Sequence, residues 1–426
     1  MRGLATAAGL AALLFLPAAA PAVAPAPPAA PAEDAALAHA RRLLHGTMLI
    51  DGHNDLPWEI RTSSTAPRDV AAYDLRHPTP GDTDLARLRS GGVGGQFWSV
   101  YVPGEDKALG YAREQLEQID IARRMIARYP DALALVVTAD EAEDAWRRGR
   151  IASLLGMEGG HAIENSLGAL RAYHDLGVRY MTLTHNVTLD WADAANDAPR
   201  HGGLTRFGEE VVREMNRLGM LVDLSHTSPG TMDDALRVAE APVIFSHSSA
   251  RALCDVPRNV PDDILRRLPA NGGVVMVTFV AGFVSQEFAR AFAPLAREYE
   301  KRTADMTDAA ARQRVYEELT RRFQAPVVTI GQVADHFDHI RKVAGVDHLG
   351  IGADYDGNTQ WPAGLEDVSR YPWLFAELIR RGWSDADLKK VAGGNVLRAL
   401  RGAEATARRL QATRAPSTAA LGPDSR

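Results

Sequence analysis

His53 and Asp55 stand two residues apart at the end of an apolar run, Leu49-Ile50-Asp51-Gly52-His53-Asn54-Asp55. If the run is a strand, alternation puts both side chains on one side. An imidazole nitrogen and a carboxylate oxygen converging there can serve one divalent metal ion. Alone, a His-x-Asp near a glycine is more often a polar turn than a metal site. The pattern gains weight because further apolar runs end in metal-capable groups: Glu158 in Gly156-Met157-Glu158-Gly159-Gly160, His185 in Leu183-Thr184-His185, His226 in Asp223-Leu224-Ser225-His226, His247 in Phe245-Ser246-His247-Ser248, and Asp354 in Gly352-Ala353-Asp354-Tyr355-Asp356.

The elements that would carry these groups are eight apolar, mostly β-branched runs: Met48–Asp55, Val93–Val102, Ile151–Gly159, Tyr180–His185, Leu221–His226, Val243–His247, Gly273–Phe279 and Leu349–Asp354. Helical spacing separates most of them, as in 109–128, Leu167–Leu176, Phe207–Leu218, Thr231–Ala239 and Pro261–Leu268. Glycines at 177 and 219 follow two of these helices where an αβ loop should turn. Strands alternating with helices predict parallel pairing, and eight such units predict a (β/α)8 TIM-like barrel. Its reacting groups then belong at the C-terminal ends of the strands, where the residues above lie. Arg61–Asp82 reads as a long loop over the barrel mouth. Residues 281–326 read as a helical insertion between the seventh and eighth strands, and Val368–Arg381 and Leu388–Leu400 as closing helices.

On residue chemistry, His53, Asp55, His226 and His247 supply three imidazoles and a carboxylate, and Glu158 supplies a carboxylate able to bridge. That set suffices for two Zn2+ ions about 3.5 Å apart, each with an open position. No lysine ends a strand, which leaves Glu158 as the bridge. Asp354 is placed to accept and return a proton, and His185 to stabilise an oxyanion. Asp51 and Asp223 have the register to orient ligands. His161 and Asp356 lie near the rim, His161 with either a structural or a site role. His336, His339 and His348 precede the last strand and read as structural. Gly91–Gly95 precedes a strand and so is no phosphate loop. Ser246 and Ser248 lack the elbow of a serine nucleophile.

Composition frames this reading. The 426 residues are 46% hydrophobic and 24% charged with a net charge of −6. Basic residues are scattered, which argues against a nucleic-acid surface. Residues 1–24 read as a signal peptide, with Arg2, an apolar Leu10–Leu16 and an Ala22-Val23-Ala24 cleavage site. Residues 25–33 form a Pro/Ala-rich spacer, 34–410 the catalytic domain, and 411–426 a disordered tail. The single cysteine, Cys254, excludes an internal disulfide. An exported protein, periplasmic or secreted, without a membrane anchor after cleavage is the expectation; a homodimer is compatible with it.

Taken in order, Asp51–Pro57, Gly156–His161, Leu183–Asn186, Asp223–His226, Phe245–Ser248, Val256-Pro257-Arg258-Asn259 and Gly352–Gly357 resemble the membrane (renal) dipeptidases, peptidase family M19. The resemblance spans nearly all of the mature chain. It implies a zinc-dependent dipeptidase that cleaves dipeptides with a free amine and a free carboxylate, some with a C-terminal D-residue, using a hydroxide that bridges the metals. It further implies that His53, Asp55 and Glu158 hold one zinc and Glu158, His226 and His247 the other. It makes Asp354 the acid/base, His185 the contact to the scissile carbonyl, and Arg258 the clamp on the substrate carboxylate. On chemistry alone Arg258 suits either a carboxylate or a surface role. The rival is another metal-dependent amidohydrolase on this scaffold, acting on an N-acyl amino acid, a cyclic amide or a β-lactam. Two features depart from the mammalian pattern. Val280 stands where those relatives carry an aromatic hydroxyl, and residues 281–326 match only some bacterial members.

Overall fold

The computed structural model describes residues 34–105, 110–304, 306 and 309–422. The expected signal peptide and spacer lie outside the described residues. From Ala35 onward the chain is one compact unit. Among the described residues the strands are β1 (Leu49–Asn54), β2 (Val93–Ser99), β3 (Leu133–Leu135), β4 (Ile151–Glu158), β5 (Val178–Thr182), β6 (Leu221–Asp223), β7 (Ile244–Phe245), β8 (Val274–Val277) and β9 (Leu349–Ile351).

All pairings are parallel. β1 is flanked by β2 and β9, and β2 pairs with β4, so eight strands close a barrel around which the helices lie. This is the expected (β/α)8 barrel; seven of its staves fall within the apolar runs, and β5 starts at Val178, two residues ahead of the run Tyr180–His185. The remaining strand, β3, was not foreseen. Its three residues pair with Ile151–Ser153 at the start of β4, too short a segment to show a period.

Alternation along the strands sorts the buried apolar residues into two clusters. Val275 and Val277 pack outward with the helices, while Val274 and Met276 join Ile50, Leu154, Tyr180 and Leu221 in the smaller cluster that fills the barrel. The helices start where hydroxyl side chains accept a first-turn N–H. Thr205 accepts from Gly208, and Ser228 from Thr231. The helix Arg206–Leu218 ends on Gly219, whose φ of 82° is the left-handed stop that an αβ loop requires.

The insertion is helical over Ala281–Val284, Gln286–Thr303 and Ala309–Arg321. The last closing helix reads through from Asp385 to Gln411 with a π-turn at Lys390–Gly394. Beyond it, the tail is tied down where it was expected to be free: Ser417 donates its N–H to Glu214 and its hydroxyl to Glu210, and Arg171 donates to its carbonyl. Among the described residues, no helix is long and apolar enough to cross a membrane.

Candidate metal centre

Glu158 is the last residue of β4 and is 4% exposed. Its two oxygens face two different groups. Oε1 lies 3.0 Å from His226 Nε2, 3.4 Å from His247 Nε2 and 3.8 Å from His185 Nε2. Oε2 lies 3.4 Å from His53 Nε2, which in turn is 3.2 Å from Asp55 Oδ2. His53 Nε2 is also 3.9 Å from Asp354 Oδ1. Each of these side chains leaves the C-terminal end of a different strand, except His53 and Asp55, which share one.

The way that pair converges differs from the alternation expected of a strand. β1 ends at Asn54, its register shifts between Asp51 and Asn54, and Asp55 sits in the turn that starts the helix Leu56–Thr62. The turn, not the pleat, brings the carboxylate back over the imidazole. Two other residues of the site are held in unusual backbone conformations. His226 has φ 64° and Asp354 φ 74°, a region that non-glycine residues visit only when the surroundings compel it.

The ligand-capable atoms converge on one another. His53 Nε2 and Asp55 Oδ1 are buried without a hydrogen-bond partner. His226 Nε2 and His247 Nε2 approach to 3.0 Å while both face the same carboxylate oxygen. Lone pairs and carboxylate oxygens packed this closely repel unless a cation lies among them. The set is imidazole and carboxylate, the chemistry zinc prefers. The groups His53–Glu158–His247 and Glu158–His185–His226 share Glu158, with Asp55 and Asp354 gathered on His53 in a third, and thus form a binuclear centre suited to two Zn2+ ions bridged by that glutamate. Burial alone would raise Glu158, but the facing imidazoles hold it well below the usual carboxylate range. Burial pushes Asp354 well above that range.

Two fully buried carboxylates frame the centre. Asp51 accepts from the N–H of His53 and Ala353, the Gln96 amide and the Tyr371 hydroxyl, joining β1, β2 and the end of β9. Asp223 accepts from the N–H of Ser225 and Ser246 and from the Thr182 and Ser246 hydroxyls, joining β5, β6 and β7. Burial raises both, against these hydrogen bonds.

Arg258 is 2% exposed. It donates to Ser248 Oγ at 3.3 Å and to the His247 carbonyl at 3.2 Å, and its guanidinium carbon lies 5.1 Å from the Phe283 ring centre. Its Nε is unpaired, no carboxylate among the described residues forms an ion pair with it, and burial lowers it to about 10.

The outlying candidates fall elsewhere. His161 meets the Val102 carbonyl at 2.9 Å and packs on Tyr111, away from the ligand groups. Asp356 and Asp82 bond each other's backbone N–H, pinning the 61–82 loop to the mouth. His336, His339 and His348 bond to Val284, Asp262 and Gly273. Sequence reading missed Tyr180, which touches His53, and Tyr101, whose ring lies 4.9 Å from that of His185. Tyr180 is two residues before Thr182 on β5, so inward alternation was the signal that could have found it.

A model of the membrane dipeptidase family, peptidase family M19, matches residues 37–414, and the chain belongs to that family. It is 43% identical to dipeptidase 3 of Mus musculus over 361 residues, 84% of this chain and 64% of that protein. The chain therefore spans just under two thirds of that relative, and 65% of its Rattus norvegicus counterpart. It is 42% identical to dipeptidase verJ of Clonostachys rogersoniana over 86% of both chains. Among solved structures, the probable dipeptidase PvdM from Pseudomonas aeruginosa superposes with a TM-score of 0.74 at 24% identity, covering 87% of this chain and 99% of that one. A metallo peptidase from Rhodobacter sphaeroides, liganded with a phosphinate mimic of the dipeptide L-Ala-D-Ala, gives 0.69 at 23% identity over 84% and 99%. These two share the fold.

Proposed function

We propose that this chain is a zinc dipeptidase that hydrolyses dipeptides bearing a free amine and a free carboxylate. The observation that carries this reading is Arg258: a buried guanidinium without a carboxylate partner, on the same rim as two ligand groups that share Glu158. A planar fork held out of water matches a carboxylate in two parallel hydrogen bonds. Its place beside His247 limits the distance from that carboxylate to the bond being cut, which favours a short substrate. Family membership and the likeness to verJ support the same class.

When bound, two zinc ions at these ligands supply Lewis acidity and make water nucleophilic at neutral pH. The chain's own residues do the rest. Arg258 fixes the substrate's carboxylate end. Asp354, close to His53 and Asp55, takes a proton at its carboxylate and returns it to the leaving amine. His185, adjoining His226, hydrogen-bonds the scissile carbonyl region as charge develops there. Holding both ends of a dipeptide lowers the barrier by orientation. The leader-like residues 1–24 support export to the periplasm or beyond.

The test is metal analysis together with a panel of L,L- and L,D-dipeptides, their C-terminal amides, N-acyl amino acids and a β-lactam. Turnover of the free dipeptides with two zinc ions per chain supports the proposal. Preference for the acylated or cyclic substrates overturns it.

A further inference from the structure

The two ligand groups are backed by different chemistry, and one backing residue has no part in the steps above. On the Asp55 side, His53 Nδ1 lies 2.8 Å from the Tyr180 hydroxyl. That hydroxyl has a single proton, which it donates to the Gly52 carbonyl 3.2 Å away. Tyr180 thus offers His53 only lone pairs, so the hydrogen between them belongs to Nδ1. With Nδ1 protonated, Nε2 presents its lone pair to Asp55 and Glu158.

On the other side, Ser246 Oγ donates to Asp223 Oδ2 at 2.6 Å and meets His247 Nδ1 at 2.8 Å. The same count of protons makes His247 an Nδ1–H imidazole with Nε2 bare toward Glu158. One ligand is therefore backed by a serine and a carboxylate, the other by a neutral phenol.

The seat of Tyr180 is built for this contact. The residue is fully buried in the barrel and pairs across the sheet with Gly156 of β4. A Cβ at position 156 would fall 2.0 Å from the Tyr180 ring. Only glycine there lets the ring lie flat enough for its hydroxyl to reach His53 and Gly52 together.

We propose that Tyr180 is a positioning residue: its hydroxyl locks His53 in the Nδ1–H form and thereby sets how tightly the ion on the Asp55 side is held. Ser246 and Asp223 do the same for the ion on the His247 side. The inference rests on the two-ion reading of the site with His53 and Asp55 on one ion and His226 and His247 on the other. It follows that the two ions can be loosened separately by substitutions that touch no ligand. Hydrogen-bond partners of ligating histidines typically contribute about 10–100-fold in metal affinity.

The experiment uses the full chain loaded with zinc. Wild type, Tyr180→Phe and Ser246→Ala are dialysed against zinc buffers set by a chelator, and retained zinc is counted. Tyr180→Phe should release one ion at about 10–100-fold higher free zinc than wild type and keep the other. Ser246→Ala should show the same split, and the double variant should loosen both ions. Retention unchanged in Tyr180→Phe, or both ions weakened alike, overturns the proposal. Imidazole 15N spectra of the loaded wild type provide a reading that needs no variant to fold: His53 and His247 should both appear as Nδ1–H, and an Nε2–H signal from His53 overturns the assignment. Wild type that retains one ion or none overturns the two-ion reading itself, before any variant is compared.

Discussion

The barrel rim and the helical insertion are both rich in charge and use it in opposite ways. At the rim, charge is buried and the framing carboxylates are satisfied: Asp51 and Asp223 are fully buried, and each takes four hydrogen bonds, Asp223 from three strands or their ends and Asp51 from three strands or their ends and from Tyr371 on a closing helix. In the insertion, pairs such as Arg302–Glu318 lie at the surface, and cohesion comes from an aromatic cluster of Phe288, Phe292 and Phe323. Surface pairs gain little because water solvates either partner when the other is lost. Buried groups have no such substitute, so removing one leaves its neighbour exposed to the full desolvation penalty. Substitutions in the rim should therefore alter chemistry, and those in the outer insertion should not.

The largest effect should come from the one group that both metal sites share. Glu158→Gln keeps shape but removes the charge between His53 and the His226–His247 pair. Breaking a buried charge contact costs about 3–5 kcal/mol, or roughly 10²–10⁴ in affinity for each ion. Zinc analysis should find both ions depleted together. Loss of only one would mean that the oxygens of Glu158 act independently and the rim is less unified than its geometry implies.

Next is Asp354. Asp354→Asn removes a proton acceptor without touching the shared glutamate, so zinc should stay at two per chain while kcat falls about 10²–10⁴-fold with KM little changed. A variant stripped of metal would make Asp354 a ligand to the His53 and Asp55 group, with which it clusters. Smaller again is Arg258→Ala. A charge-assisted pair out of water contributes about 1.5–3 kcal/mol, so kcat/KM should fall by roughly one to two orders of magnitude. Amidating the dipeptide's C-terminus should cost the same, and the two changes together little more than either, since they delete one contact. Equal cleavage of acid and amide would assign Arg258 another role.

The rim was legible in sequence for the same reason that it is sensitive. Apolar runs of the right length mark buried strands, and a His, Asp or Glu at the end of six of the eight has few structural reasons to be there. The closed barrel and its eight staves followed from that pattern. What stayed hidden depends on contacts between distant residues. That Glu158 directs one oxygen to each group is a matter of rotamer. That Tyr371 hydrogen-bonds Asp51 across the chain, and that Tyr180 reaches His53 from another strand, is set by barrel curvature, which no local window contains. The pairing of β3 with β4 and the turn that folds Asp55 back were hidden for the same reason. The insertion's helices were visible by period, but not which of its residues touch the rim.

One histidine belongs to both regions and yields the smallest effect. His336 is buried on the helix Ile330–Ala344. Its Nδ1 accepts the N–H of Ala250, just after His247 at the rim, and its Nε2 meets the carbonyl of Val284, where the insertion begins. Burial lowers it to about 4, helped by His339 and opposed by the hydrogen bond to the Val284 carbonyl and by Asp335. Because the folded value lies below the unfolded one, the unfolded chain binds more protons between them. Stability linked to His336 is complete above about pH 6.5, declines as pH falls through the window, and levels off below about 4. At pH 5.5 the loss should be about 1 kcal/mol. Urea unfolding of metal-free wild type and His336→Gln at pH 7.5 and 5.5 checks this, since removing zinc keeps ligand protonation from releasing metal during the comparison. Wild type should lose more stability than the variant between the two pH values by about that amount. An identical loss in both would mean that His336 stays as easily protonated as in water, and that the joint between rim and insertion opens there.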